Sequence, residues 1–247
     1  MADYKVTDTE LTSIANAIRT KGGTQAQLEF PTGFVSAVQA IPTGGGETES
    51  VLFKVDSSVD QSLIIAQDIS KWYGPFASTA KMYAKPCDAQ GNLIKLNLSQ
   101  PFEIGITFKV PRSAQTTENN LFGSLKDWYS CPCIGIRTTG IPYLAVSESG
   151  STWNVKHNFS DGYTIPANTS IFCKITYDGE KVTGYINDGE NDFTLEENVT
   201  PFYNQNYEFA FGNQNLSQYS LDANNGSILF NKTYLKQGDN IIWGYDN

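Results

Sequence analysis

Between residues 102 and 110, apolar Phe102, Ile104, Ile106, Phe108 and Val110 alternate with Glu103, Gly105, Thr107 and Lys109. That period of two is the signature of a strand with one buried face. Ile171, Cys173, Ile175 and Tyr177 repeat the pattern and run into Asp178-Gly179, a hairpin turn signal, before Val182, Gly184 and Ile186 resume it. Tyr207, Phe209 and Phe211 form another stripe, as do Ile228 and Phe230. Further strands are predicted over 51–55, 93–98, 133–137, 142–147, 152–157 and 240–245. No amphipathic helix interrupts them. Many short strands without helical crossovers imply antiparallel sheets packed face to face. The fold predicted for 51–247 is therefore mainly β, an antiparallel β-sandwich of jelly-roll type.

The period changes before residue 42. Thr7-Asp8-Thr9-Glu10 has the form of a capping box, and Leu11, Ile14, Ala15 and Ile18 follow at helical spacing. Arg19 and Lys21 suit the negative end of that helix, and Gly22-Gly23 stops it. A second helix is predicted from Pro31-Thr32, with Phe34, Val35, Val38 and Ile41 as its stripe and Pro42 as its end. Each is too short to persist alone in water, so 1–42 is expected to pack on itself in an oligomer or dock onto another protein. Residues 43–50, with Gly44-Gly45-Gly46 at their centre, read as a linker.

Composition narrows the partners. The 247 residues carry 17 Lys+Arg and 26 Asp+Glu, and 17 − 26 gives −9. That balance speaks against nucleic acid and against an anionic membrane. With 13% aromatic and 17% charged residues, the chain is neither a disordered nor a coiled-coil sequence. No run reaches the ~18 apolar residues of a membrane helix, so no membrane insertion is expected. The N-terminus lacks a secretory signal pattern, which fits synthesis in the cytoplasm. A single histidine, His157, excludes a multi-His metal site. Cys87, Cys131, Cys133 and Cys173 read as reduced structural thiols, because Cys-Pro-Cys is too close for a zinc knuckle.

Two resemblances follow. The string from Thr7 to Arg19, then Lys21-Gly22-Gly23-Thr24, Leu28-Glu29-Phe30-Pro31-Thr32-Gly33-Phe34 and Ile41 resembles an N-terminal segment of tail proteins from tailed bacteriophages and prophages of gut Gram-positive bacteria. Residues 51–247 resemble a concanavalin A-like (laminin G-type) lectin/glucanase sandwich. The shared features are the strand at 102–110, Asn120-Leu121-Phe122-Gly123, the hairpin at Tyr177-Asp178-Gly179, Tyr185-Ile186-Asn187-Asp188-Gly189 and the closing strand pair at 226–245. Together they imply a virion protein, commonly trimeric, that attaches to other tail or baseplate proteins through 1–42 and presents a lectin-like domain outward.

Glucanases of that fold carry Glu-x-Asp-x-Glu or Glu-x-Asp-x-x-Glu on one strand, with the carboxylates ~5 Å apart. In Glu190-Asn191-Asp192-Phe193-Thr194-Leu195-Glu196-Glu197, the positions of the second Glu are Thr194 and Leu195. The run is read as a solvated turn, no catalytic residues are assigned, and the chain is expected not to be an enzyme. Asp188, Glu190 and Asp192 offer hard oxygens around a glycine, too few by themselves for the 6–8 ligands of Ca²⁺. Laminin G-type domains often hold one Ca²⁺ at a sandwich rim, so the resemblance keeps that ion open; no other cofactor is expected.

Aromatic residues offer flat faces to the C–H face of a sugar, and Asn and Asp can pair with its hydroxyls. Trp128, Tyr129 and Trp153 are the stacking candidates, with Asn154, Asp188 and Asn191 as hydroxyl partners. The competing role for each Trp is to cap the core, and Trp72 and Trp243 are assigned there. The function expected is a phage tail-fibre or baseplate receptor-binding protein, homotrimeric, that attaches the virion to host cell-surface glycans. The alternatives are a structural virion component, such as a head fibre or baseplate spacer, and a carbohydrate-active enzyme.

Overall fold

The alternating runs pair as antiparallel strands. A computed structural model describes residues 7, 9, 11–16, 51–55, 63–66, 69–74, 84–88, 90–124, 128–203, 208–212 and 226–246. The chain divides into two units, Met1–Thr48 and Glu49–Asn247. In the first, 11–16 is helical, with the Leu11 amide donating to the Thr7 carbonyl at 3.0 Å. Of the expected apolar stripe Ala15 is buried and Ile14 is 47% exposed. Ile18, the second helix and the glycine linker lie outside the described residues.

Among the described residues the second unit holds sixteen strands: β1 (Val51–Val55), β2 (Leu63–Ala66), β3 (Trp72–Tyr73), β4 (Ala84–Pro86), β5 (Phe102–Lys109), β6 (Asn119–Asn120), β7 (Phe122–Ser124), β8 (Cys133–Ile136), β9 (Pro142–Val146), β10 (Val155–Asn158), β11 (Ile171–Tyr177), β12 (Val182–Asn187), β13 (Asp192–Glu197), β14 (Phe209–Phe211), β15 (Ser227–Gln237) and β16 (Asn240–Asp246). The large sheet runs β13-β12-β11-β5-β15-β16, with β3 also on β15. Two smaller sheets run β2-β1-β4-β14-β7 and β10-β9-β8-β6. Only Leu121 separates β6 from β7. Its amide donates to the Ile134 carbonyl at 3.0 Å, and its own carbonyl accepts from Gly212 at 2.6 Å. The smaller sheets are thus joined into one layer opposite the large sheet.

The core lies between the layers. Ile104, Ile106, Ile171, Ile175 and Ile186 of the large sheet share one buried cluster with Leu121, Phe122, Ile134, Leu144 and Phe211 of the other layer. Contact is close enough that a Cβ on Gly184 would lie 2.9 Å from the Phe159 ring. Trp243 is buried in this core as expected. Trp72 is half-buried, with the Lys109 ammonium 4.3 Å from its ring centre.

Three expectations need correction. Residues 93–98 do not form a strand; only Leu93 bridges, to Cys87. Within that run the Ile94 amide donates to the Pro86 carbonyl and the Asn97 amide to the Gln237 side chain, while just before it Asp88 accepts from the Gln90 and Asn92 amides. The 190–197 run is not all turn. The turn ends at Asn191, and β13 follows on β12 because Phe193 and Leu195 alternate inward against the core. The strand expected from 152 begins at Val155. All four thiols are free and buried. Cys131 faces the main core while Cys133 packs with Tyr143 and Ala145 in a separate cluster, and burial pushes the Cys133 thiol up to about 12.

Candidate functional site

Strand register stacks the outward side chains of the large sheet in rows. One row runs Tyr234–Gly105–Lys174–Tyr185–Thr194 across β15, β5, β11, β12 and β13. The row on one side runs Glu103–Thr176–Thr183–Glu196, and on the other Thr107–Phe172–Asn187–Asp192. The inward partners of these positions are the core residues already named, so the outward set is free to carry chemistry.

Glu103 anchors the face. Its carboxylate accepts from the Tyr234 hydroxyl at 2.7 Å, the Thr176 hydroxyl at 3.0 Å, and the Lys174 and Lys236 ammoniums at 3.2 Å each. Burial alone would raise its pKa, but the Tyr234 hydrogen bond, then Lys174 and Thr176, outweigh it and hold it down at about 2. Burial, with the carboxylate beside it, pushes the Tyr234 phenol up. The Tyr234 ring lies across Gly105, where a Cβ would come within 2.5 Å of it. The anchor therefore fixes a tyrosine flat against the sheet.

Beside that tyrosine, aromatic groups stand on the surface. Phe172 has ring centres of Tyr185 at 6.3 Å and Tyr234 at 6.4 Å, and the Lys232 ammonium sits 4.6 Å from its own ring centre. A cleft of about 530 Å³ is lined by Phe172, Tyr185, Lys174, Lys232, Asn187 and the hydroxyl residues Thr183 and Thr194. A second, of about 380 Å³, shares Phe172, Asn187 and Lys232 with it and adds Thr107, Asp188 and Asn231. The Asn231 Oδ1 atom is buried and finds no hydrogen-bond donor among the described residues. A buried acceptor left without a donor costs ~1–3 kcal/mol. The residue that carries it lines the second cleft.

The six residues singled out by sequence fall into two groups in opposite layers. Tyr129 meets Trp153 edge-on at 5.0 Å, and half-buried Trp153 packs on Cys133, Tyr143 and Ala145. Trp128 is half-buried nearby in sequence. The Asn154 Oδ1 atom accepts from the Glu148 amide and so holds its own loop. Asp188 and Asn191 share the turn between β12 and β13, where Asp188 Oδ1 accepts from the Glu190 and Asn191 amides and Oδ2 from the Tyr163 hydroxyl and the Asn191 side chain. Burial opposes ionisation of Asp188, yet these donors hold its pKa below the usual range. Both Asp188 oxygens thus accept hydrogen bonds within the turn and from Tyr163. Among the described residues, no group of three or more His, Cys, Asp or Glu side chains is placed to hold a metal ion. Of the six, Asp188 lines the second of the two clefts on the large sheet.

Sequence reading missed Phe172, Tyr185 and Asn231. The available signal was an aromatic at two outward positions of one hairpin, where a solvated face would carry polar groups.

No protein-family model matches the sequence, and no curated protein matches it. Among solved structures, an alginate lyase from Pseudomonas aeruginosa is similar with a TM-score of 0.47 and 10% identity, over 77% of this chain and 99% of that one. The receptor-binding domain of botulinum neurotoxin mosaic serotype C/D is similar with a TM-score of 0.41 and 12% identity, over 69% of this chain. The match spans only 44% of that structure's length. A galectin from Caenorhabditis elegans is similar with a TM-score of 0.36 and 11% identity, over 55% and 83% of the two chains. The expectation that the chain is not an enzyme is corrected: alginate lyases stand among the similar structures.

Proposed function

We propose that the chain binds a carbohydrate on the outer face of its large sheet. The observation that carries this is the Phe172–Tyr185 aromatic pair beside Asn187, Thr183, Thr194 and the unpaired buried acceptor of Asn231. An aromatic face takes the apolar side of a pyranose, and a sugar hydroxyl supplies the donor that Asn231 lacks. We further propose that this face serves attachment of a tailed phage to a host cell-surface glycan. Supporting it is the N-terminal string's resemblance to phage tail proteins. Residues 1–42 would then fasten the chain to tail or baseplate proteins and assemble it as a homotrimer. Contacts of about 4 kcal/mol per site, a Kd near 1 mM, become stable attachment when repeated around a tail.

The test is a glycan array probed with the full chain, followed by titration calorimetry on the best ligand. The recovered saccharide is sized, which separates retention from cleavage. Tyr185→Ala and Phe172→Ala are each expected to weaken binding at least tenfold with melting temperatures nearly unchanged. Unaltered binding in both variants would remove this face as the site, and an array without binders would refute carbohydrate recognition. Light scattering of the full chain at micromolar concentration tests assembly; a monomer would refute the trimer.

A further inference from the structure

The charge of the cleft differs from that of the chain. The protein carries −9 overall, yet the 530 Å³ cleft is lined by two lysines and, among the described residues, by no carboxylate. Lys174 is held by Glu103. Lys236 is shared between Glu103 and Asp246. Lys232 is different. Its ammonium lies over the Phe172 ring at 4.6 Å, and among the described residues no salt bridge includes it, although Asp188 lines the second cleft with it. It lines both clefts, so it stands between the aromatic pair and Asn231.

Lys232 thus brings to the cleft a half-buried cation that no ion pair among the described residues takes up. A ligand that answers all three features needs an apolar ring face for Phe172 and Tyr185, a hydroxyl donor for Asn231, and a negative group for Lys232. We infer that the saccharide bound here is acidic, a sugar bearing a carboxylate, with Lys232 as its principal ion partner and Lys174 as the second cation. The inference rests on the carbohydrate reading and adds the charge of the ligand to it. A neutral glycan would leave Lys232 with the Phe172 ring but no ion partner among the described residues.

The assay compares matched ligands. Oligo-uronates and sialylated oligosaccharides are titrated into the full chain, each alongside its carboxyl-reduced counterpart, which keeps the hydroxyls and loses the charge. The acidic form is expected to bind about tenfold tighter than the reduced form, and raising NaCl from 50 to 500 mM is expected to erase most of that advantage. Lys232→Gln is expected to reduce the acidic-over-reduced ratio to under threefold, with the melting temperature unchanged. Tyr185→Ala is expected to weaken both forms alike. Equal binding of acidic and reduced sugars by the unaltered chain, or an undiminished ratio in Lys232→Gln, overturns the acidic ligand and leaves carbohydrate binding standing. Binding of neither form overturns both.

Discussion

Replacing Glu103 by Gln removes the anion beneath the large-sheet face without changing its volume. Glu103 sits in β5 at 15% side-chain exposure and accepts from two hydroxyls and two ammoniums. Its pKa falls from 4.5 to about 2 on folding. At 1.36 kcal/mol per unit, that shift corresponds to at most ~3 kcal/mol of stability, and solvent screening of the lysine ends brings it to roughly 1.5–3 kcal/mol. A carboxylate whose folded pKa is depressed contributes fully above its unfolded pKa. The contribution is then lost as pH falls through the folded one. It is therefore complete above about pH 5.5, reduced to roughly two-fifths at pH 3, and nearly gone at pH 2.

Urea unfolding of the full chain and of Glu103→Gln, followed by tryptophan fluorescence at pH 7 and pH 3, measures the difference directly. The variant is expected to be less stable by roughly 1.5–3 kcal/mol at pH 7 and by about half that or less at pH 3. An equal gap at both pH values would refute the assignment, because it would make the loss one of packing and not of charge. A gap that widens on acidification would contradict the sign of the shift.

Other positions make separate expectations. Gly244 has a φ of +80°, and a Cβ there would press on the Thr233 carbonyl oxygen; Gly244→Ala should cost about 2 kcal/mol or more, and an unchanged melting temperature would refute that backbone conformation. Tyr143 donates to Asn120 Oδ1 at 2.9 Å in a site where both are buried; Tyr143→Phe should cost about 1–2 kcal/mol through the unpaired amide, and Asn120→Ala added to it should cost much less than a second such loss. The native chain should leave all four buried thiols unmodified by a water-soluble disulfide reagent while the urea-unfolded chain yields four; rapid reaction of the native chain would show that one of them is accessible.

The inward half of the fold was legible because burial leaves a periodic trace. Ile171, Cys173, Ile175 and Tyr177 faced the core as their alternation required, and the Asp178-Gly179 turn led into β12 as the turn chemistry required. The edge strand β13 was masked by its acids: Asp192, Glu196 and Glu197 outweigh Phe193 and Leu195 in a reading by polarity, although an edge strand is where charges belong. Beyond the two outward aromatics of the β11–β12 hairpin, the candidate face was not legible from sequence, since its lining comes from β11, β12, β13 and β15. Tyr234 and Gly105 meet across 129 positions of chain only through the pairing of β15 with β5. Trp128 and Trp153 drew attention because tryptophan is conspicuous in a sequence, yet Trp153 half-buries itself against Tyr143 and Ala145.

Anchor and recognition are divided between neighbouring rows of the same sheet. Glu103 fixes Lys174, Lys236 and the Tyr234 hydroxyl, and Tyr234 in turn lies flat on Gly105 with Phe172 at 6.4 Å. Phe172 then supports Lys232 from below. Order thus passes from the half-buried Glu103 carboxylate outward to the Lys232 cation through aromatic contacts, none of which needs a ligand to form. A face built this way loses little side-chain freedom when a ligand arrives, because Tyr234, Phe172 and Tyr185 have two side-chain torsions each and are already packed. That preorganisation matters more for a weak, repeated contact than for a tight one. When each site supplies only about 4 kcal/mol, an ordering cost of ~1 kcal/mol per immobilised side chain would consume much of it. Strands therefore suit this role better than loops: β5, β11, β12 and β15 hold the aromatic rows in place by backbone pairing on both sides.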